Sequence, residues 1–337
     1  MKWCIIGAGG IADRRAIPGI LKDDGSRLVA VMDRIVETAE TVGRKYGVPY
    51  FTDEADMLSS VDCDAVYIGT PVFCHYEQAM TALRFGKHVF LEKPVAMNAE
   101  QSDLLVREFE KAGKQLTIGY MMKYHNLHEK AKELVQTGGL GKVCEARAQF
   151  TCWYPEIAGA WRQKKALGGG GALMDLGVHC IELLEFLLDE EIQEVKGFCA
   201  NRTFSYEVED GAVFAFRTES GILGHVDVHF NVPDAASESK LELYGSSGCV
   251  ICKGTLGQEE TGVLTYLYAP QGEYSAQQNR TAAKPREYYG ENVDLYCKQI
   301  QRFRETVESG APDYFYAKRA VQVQKVVDEL YKQNEKI

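Results

Sequence analysis

A short apolar stretch, Trp3–Ile6, runs directly into Gly7-Ala8-Gly9-Gly10-Ile11-Ala12, and a helical pattern follows to about Leu21. This strand–turn–helix constrains the fold more than anything else in the chain. Gly7 permits the tight turn out of a buried strand. Gly9 lets main chain approach a bound pyrophosphate, and Ala12 is small where the helix packs on the strand. Gly10 and Ile11 complete the turn, and the helix N-terminus presents unpaired N–H groups to an anion. Pro18 falls inside the helical pattern and predicts a kink or a shortened bonding ladder. A second strand, Leu28–Met32, ends at Asp33. That acidic residue would accept hydrogen bonds from ribose hydroxyls, which favours NAD over NADP. Arg34 can pair with a 2′-phosphate or stack on adenine, and so leaves NADP open. Read blandly, the two are a solvated charge pair at a strand end; the glycine turn upstream favours the functional reading for Asp33.

Residues 1–120 continue to alternate strand and helix patterns. The strands include Ala65–Ile68, running into Gly69-Thr70-Pro71, then His88–Leu91, and Leu116–Ile118 before Gly119-Tyr120. Such alternation predicts a doubly wound parallel sheet of about six strands, a Rossmann-type domain over residues 1–120. The rhythm then changes. A helix from about Leu127 to Gln136 stops at Gly138-Gly139. Strand patterns follow over Val143–Trp153, Glu194–Thr203, Gly211–Phe216, Ile222–Phe230 and Lys240–Tyr244. Consecutive strands with few helices between them predict a second α/β domain, residues 121–337, with a large, mostly antiparallel open sheet. Residues 254–290, polar and containing Gln-Gln-Asn-Arg, read as surface excursions. Two helices, about Val293–Glu308 and Tyr316–Lys332, close the chain.

Composition excludes several classes. A formal charge of −10 over 337 residues argues against a nucleic-acid partner, which needs a basic surface. No apolar run approaches the roughly 20 residues that span a bilayer. Met1-Lys2 leads straight into a strand, so no signal peptide is expected. The ten cysteines are scattered, and Cys249 and Cys252, though spaced CxxC, have no second ligand pair. Buried thiols in a reducing cytoplasm, with no metal, are the expectation.

Two further groups carry chemistry. Glu92-Lys93-Pro94 ends the strand His88–Leu91, the carboxyl edge at which open α/β sheets place ligands. Lys93 there can polarise a carbonyl or hydroxyl oxygen, and a nearby cationic ring would lower its pKa toward general-base range. Most lysines are merely solvated; this one is set between Glu92 and Pro94. Asp175 and His179 follow a glycine run at 168–171 and stand four residues apart, on one face of an α-helix. The plain alternative is a carboxylate at a helix start and a packed histidine. His179 titrates near neutrality and suits proton transfer, while Asp175 can orient substrate or hold the imidazole.

Taken together, these motifs resemble the glucose–fructose oxidoreductase / inositol dehydrogenase (Gfo/Idh/MocA) family over nearly the whole chain. The resemblance runs through Gly7-x-Gly9-x-x-Ala12, Thr70-Pro71 with His75, Glu92-Lys93-Pro94, Gly119-Tyr120 leading to Lys123-Tyr124, Trp161-Arg162, and Gly169-Gly170-Gly171-Ala172-x-x-Asp175-x-Gly177-x-His179. It implies an oxidoreductase using NAD(H) or NADP(H) to interconvert a secondary alcohol and a ketone on a sugar, cyclitol or related polyol. Lys93 and His179 are then the acid/base pair, assisted by Asp175. Thr70, Pro71, His75 and Glu92 fall where the family contacts ribose or nicotinamide, and Trp161 and Arg162 fall near nicotinamide and substrate. Tyr120 and Lys123 belong to the stretch that can line the substrate pocket. A homodimer or homotetramer through the open face of the second sheet is implied as well. The chain departs from the family at Met121-Met122-Lys123-Tyr124-His125-Asn126, where many sugar dehydrogenases carry Asn and then Arg-Phe before a proline, so the analogy does not specify the substrate. Two other readings keep the scaffold: a glycoside-cleaving enzyme using transient NAD oxidation and elimination, and a cofactor-binding regulator. The lysine, aspartate and histidine together argue against the regulator, which needs none of them.

Overall fold

The computed structural model describes residues 1–334 apart from 271, 273, 275, 278–282 and 292. The chain divides into two compact units. One comprises Met1–Tyr120, Lys164–Gly169 and Asp294–Lys325; the other comprises Met121–Gln163, Gly170–Val293 and Val326–Ile337. Residues 164–169 and 294–325, expected in the second domain, therefore belong with the first.

Unit 1 is built on six parallel strands: β1 (Lys2–Ile6), β2 (Arg27–Met32), β3 (Tyr50–Phe51), β4 (Ala65–Ile68), β5 (His88–Leu91) and β6 (Leu116–Ile118). Their spatial order is β3-β2-β1-β4-β5-β6. The order reverses at β1, so the carboxyl ends of β1 and β4 flank the switch point at which doubly wound sheets bind ligands. The central strands are apolar throughout because helices cover both faces. Trp3, Ile5, Tyr67 and Phe90 are buried in a core that also takes Ile300 and Phe303 from the helix Leu295–Glu308. Phe303 lies 5.0 Å from Trp3 and 5.7 Å from Phe90, ring to ring. Pro18 does not kink a long helix. Ala12–Ala16 is wound as a π turn and Pro18 sits in the first turn of the helix Ile17–Lys22, where its missing N–H is not needed.

Unit 2 carries an eight-stranded sheet: β7 (Val143–Thr151), β8 (Ile192–Ala200), β9 (Gly211–Thr218), β10 (Leu223–His229), β11 (Lys240–Gly245), β12 (Gly248–Lys253), β13 (Val263–Tyr268) and β14 (Arg286–Tyr289). The order is β14-β13-β12-β11-β7-β10-β9-β8. All pairings are antiparallel except β10 with β7. The stretch 254–290 is therefore not all surface excursion, since it supplies β13 and β14. Residues 278–280 of its polar Gln-Gln-Asn-Arg lie outside the described residues. Helices Asn126–Gln136 and Val178–Leu188 pack on each other, and the latter also packs on β7. Every residue from Val178 to Leu188 is buried, as expected of a helix that is apolar nearly all round. Among the described residues, no helix is long and apolar enough to cross a membrane.

Candidate functional site

In unit 1 the glycine turn is folded back on β2. The N–H groups of Gly7 and Ala8 both donate to the Met32 carbonyl, at 2.9 and 3.0 Å. Gly7 has φ +80°, and a Cβ there would lie 2.6 Å from the Thr70 methyl, so only glycine allows β1 and β4 to end this close together. The Gly9 N–H donates to Asp33 Oδ2 at 3.3 Å, and Ile35 N–H donates to Oδ1 at 3.0 Å. The carboxylate ending β2 is thereby held over the turn. Gly10, at φ +55°, has open space where a side chain would stand. Ile11 is half-buried and precedes the π turn that begins at Ala12, while Arg34 projects into solvent. Main chain with no side chain above it, beside a helix start, fits a pyrophosphate.

The ends of β4 and β5 are tied together by His75. Its Nδ1 lies 2.8 Å from the Pro94 carbonyl and its Nε2 2.9 Å from the Thr70 carbonyl, and the ring is 1% exposed. Burial pushes its pKa down to about 4, against the two carbonyls, which favour the charged ring. His75, expected where a ribose or nicotinamide is contacted, has its two ring nitrogens facing the Pro94 and Thr70 carbonyls, and the neutral ring can donate to one of them at a time. Thr70 itself donates from Oγ1 to Gln78 Oε1 at 2.6 Å, and Pro71, half-buried, follows at the strand end. Glu92 is also interior. Its Oε1 accepts from the Tyr67 hydroxyl at 2.6 Å and its Oε2 from the Lys93 N–H at 3.3 Å. Gly119 makes room for this carboxylate, which would stand 3.2 Å from a Cβ there. Burial, and then the Glu92 charge, pushes the Tyr67 hydroxyl well above the usual phenol range. Lys93 is half-buried and joined to Pro94 by a cis peptide. Tyr120 is 2% exposed.

Unit 2 holds the other candidates. Asp175 lies on a π turn, Leu173–Gly177, and His179 on the α-helix Val178–Leu188 that continues it. A π turn bonds residues five apart, so the plain helical register expected between the two side chains does not hold. Asp175 Oδ1 is 3.4 Å from Arg162 Nε, and the Arg162 guanidinium lies 4.2 Å from the Trp161 ring centre. Trp161, Arg162 and Asp175 are thus one cluster. Tyr154 joins it with no motif in the sequence to announce it: burial pushes its hydroxyl up, and the charges of Arg162 and Asp175 act on it. His179 is 5% exposed and meets Phe150 edge-on at 6.4 Å. Lys123 was expected to bind substrate, but it is 5% exposed and its ammonium pairs with Glu182 at 2.7 Å. No spacing in the sequence joins Lys123 to Glu182; only the helix packing does.

Known proteins match both parts of the chain. Residues 1–120 match a family model described as an oxidoreductase family with an NAD-binding Rossmann fold, and residues 128–251 match the GFO/IDH/MocA C-terminal domain. The chain is 28% identical to 1,5-anhydro-D-fructose reductase of Ensifer adhaerens, over 78% of this chain and 79% of that one. It is 24% identical to scyllo-inositol 2-dehydrogenase (NAD(+)) of Bacillus subtilis, over 92% and 87%. The crystal structure of aldose-aldose oxidoreductase from Caulobacter crescentus, complexed with glycerol, matches with a TM-score of 0.87 at 24% identity. That match covers 100% of this chain and 98% of the other, and it is a likeness of fold. With both halves matched, this chain belongs to the Gfo/Idh/MocA family of oxidoreductases and begins with an NAD(P)-binding Rossmann domain.

Proposed function

We propose that this protein interconverts a secondary alcohol and a ketone on a sugar, cyclitol or related polyol, using Lys93 and His179 as its acid/base pair. The observation that carries the reading is the dinucleotide turn of unit 1, with Lys93 half-buried at the end of β5 in the same open sheet. Relatives named for an anhydro-sugar and for an inositol support the substrate class. When bound, the nicotinamide accepts or returns the hydride. The protein's share is to bind, orient and move the proton. Lys93 would polarise the carbinol oxygen, and His179 would take or give its proton. Asp175, held by Arg162, would orient the substrate hydroxyl. Trp161 and Arg162 would form the wall beside the nicotinamide, and Tyr120 would back the substrate side.

NAD is the favoured cofactor in this reading. The Asp33 carboxylate, next to the Gly9 N–H, suits ribose hydroxyls and would repel a 2′-phosphate, while exposed Arg34 leaves NADP use open. Homo-oligomerisation through the open face of the large sheet belongs to the same reading. Phe198 and Val213, paired across β8 and β9, are 80% and 45% exposed there. So does a reducing cytoplasmic location, in keeping with ten cysteines spread through the chain.

The test is a spectrophotometric screen. Purified protein with NAD or NADP is offered aldoses, inositols and sugar acids, and with NADH or NADPH it is offered keto-sugars. Turnover with one polyol class is expected. Silence across the panel, with tight NADH binding shown by fluorescence, would overturn the dehydrogenase reading and favour the glycoside-cleaving one.

A further inference from the structure

The segment Gly168–Gly171, which leads into the turn bearing Asp175, ends at a helix start whose N–H groups are satisfied in an unusual way. A helix start leaves its first N–H groups without partners inside the helix, and side chains, water or other main chain must take them. Here three consecutive N–H groups are taken by one residue, Glu209, which a second, Tyr331, holds in turn. The carboxylate oxygen Oε1 of Glu209 accepts from Gly171 at 2.9 Å and from Leu173 at 3.0 Å. The Glu209 main-chain carbonyl accepts from Ala172 at 3.1 Å. The Tyr331 hydroxyl donates to the same Glu209 Oε1 at 2.9 Å.

The fit leaves no slack. A Cβ on Gly171 would overlap the Glu209 carbonyl oxygen, and one on Gly170 would overlap the Tyr331 hydroxyl. Both glycines are therefore required by the approach of these two residues. The link to the proposed chemistry is direct, because the Asp175 N–H donates to the Gly171 carbonyl at 3.0 Å. Glu209 thus holds one side of the peptide unit whose other side holds Asp175, and the helix bearing His179 continues from that turn. Glu209 and Tyr331 are far apart in sequence, and neither falls in a motif that suggested a site.

We propose that Glu209 and Tyr331 are positioning residues that clamp the start of the Asp175/His179 segment and so fix its acid/base groups. This rests on the roles proposed for Asp175 and His179. Glu209 is 7% exposed, and burial raises its pKa above the usual carboxylate range even though it accepts three hydrogen bonds.

Two measurements on the full-length protein test it, using Tyr331→Phe, which removes one hydroxyl and keeps the ring, and Glu209→Leu, which removes the accepting oxygen. The first needs no substrate. Amide hydrogen exchange across residues 170–176, read by mass spectrometry, should speed up by about tenfold or more in both variants while β12 and β13 stay at wild-type rates. The second is steady-state kinetics with the polyol found active in the screen. Here kcat should fall about ten- to a hundredfold, with KM for the nicotinamide cofactor and its NADH fluorescence titration within twofold of wild type. Unchanged exchange would overturn the clamp. Faster exchange with wild-type kcat would overturn its positioning role. A uniform loss of NADH binding and kcat together would also overturn it, as the mark of general damage. If the wild type itself turned over nothing, the dehydrogenase reading would fall, and the exchange data would still decide the clamp.

Discussion

Lys93 and Lys123 each come soon after an apolar strand, yet their surroundings give them opposite prospects. Lys93 is half-buried beside Glu92, whose carboxylate is already engaged by Tyr67 and by the Lys93 main chain. Lys93→Ala should lower kcat by about a hundred- to ten-thousandfold, the usual worth of a positioned acid/base group, while NADH still quenches protein fluorescence. Turnover near wild type would end its assignment. Lys123 and Glu182 are 5% and 6% exposed at their side chains, so solvent screens this pair little. Lys123→Met strands a buried carboxylate and should destabilise unit 2 by about 3–5 kcal/mol in urea unfolding. Lys123→Met with Glu182→Leu should recover most of that, because the desolvation cost goes with the second charge. A double variant no more stable than the single would show that Glu182 is held by something other than Lys123.

At the scale of elements, an ion pair joins the end of the helix Ile17–Lys22 to the helix Leu295–Glu308. Arg304 grips Asp23 with Nε at 2.8 Å and Nη2 at 3.1 Å, and Asp23 is 3% exposed. Burial alone would raise the Asp23 pKa, but the hydrogen bonds from Arg304 and Ser26 outweigh it and hold the carboxyl below its usual range. The folded state therefore binds this proton more weakly than the unfolded chain. The stabilisation is fully present above the unfolded value of about 3.9 and is lost as pH falls through the lower folded value. Arg304→Met should cost about 3 kcal/mol at pH 7, and the gap from wild type should close as the pH is lowered below about 4. A gap independent of pH would mean that Arg304 acts through packing rather than charge. Elements differ in how well sequence shows them. The strands that carry Gly7, Thr70 and Lys93 are buried on both faces and read as apolar runs. Edge strands do not: Tyr50–Phe51 is two residues long, and Arg286–Tyr289 is mostly exposed. Val263–Tyr268 does alternate, but polar neighbours on both sides hid it. The π turns at Ala12–Ala16 and Leu173–Gly177 have no signature in residue spacing, because an extra residue in a turn changes hydrogen bonding without changing composition. The clamp of Glu209 on Gly171 was hidden for a different reason: it joins residues 38 positions apart through tertiary packing.

For the whole molecule, the first 120 residues hold the family's Rossmann match and all six strands of unit 1, but that compact unit also takes residues 164–169 and 294–325. A period of 3.6 shows that a helix has an apolar face and cannot say which sheet the face covers. The helix Leu295–Glu308 follows the second sheet in the chain and packs in the first. It brings Ile300 and Phe303, each 1% exposed, into contact with Trp3 and Phe90, and it lies so close that a Cβ on Gly19 would stand 3.0 Å from the Tyr296 main chain. Burying two such side chains contributes about 1.5–3 kcal/mol each, against a net stability of about 5–15 kcal/mol for a typical domain. A fragment of residues 1–120 would also leave Trp3 and Phe90 facing water. It should show no cooperative thermal transition by circular dichroism, and in the full-length chain Phe303→Ala should cost about 3–5 kcal/mol. A sharp melt of the fragment near that of the full-length protein would mean that the helix merely covers a core already complete, and Phe303→Ala would then be nearly silent.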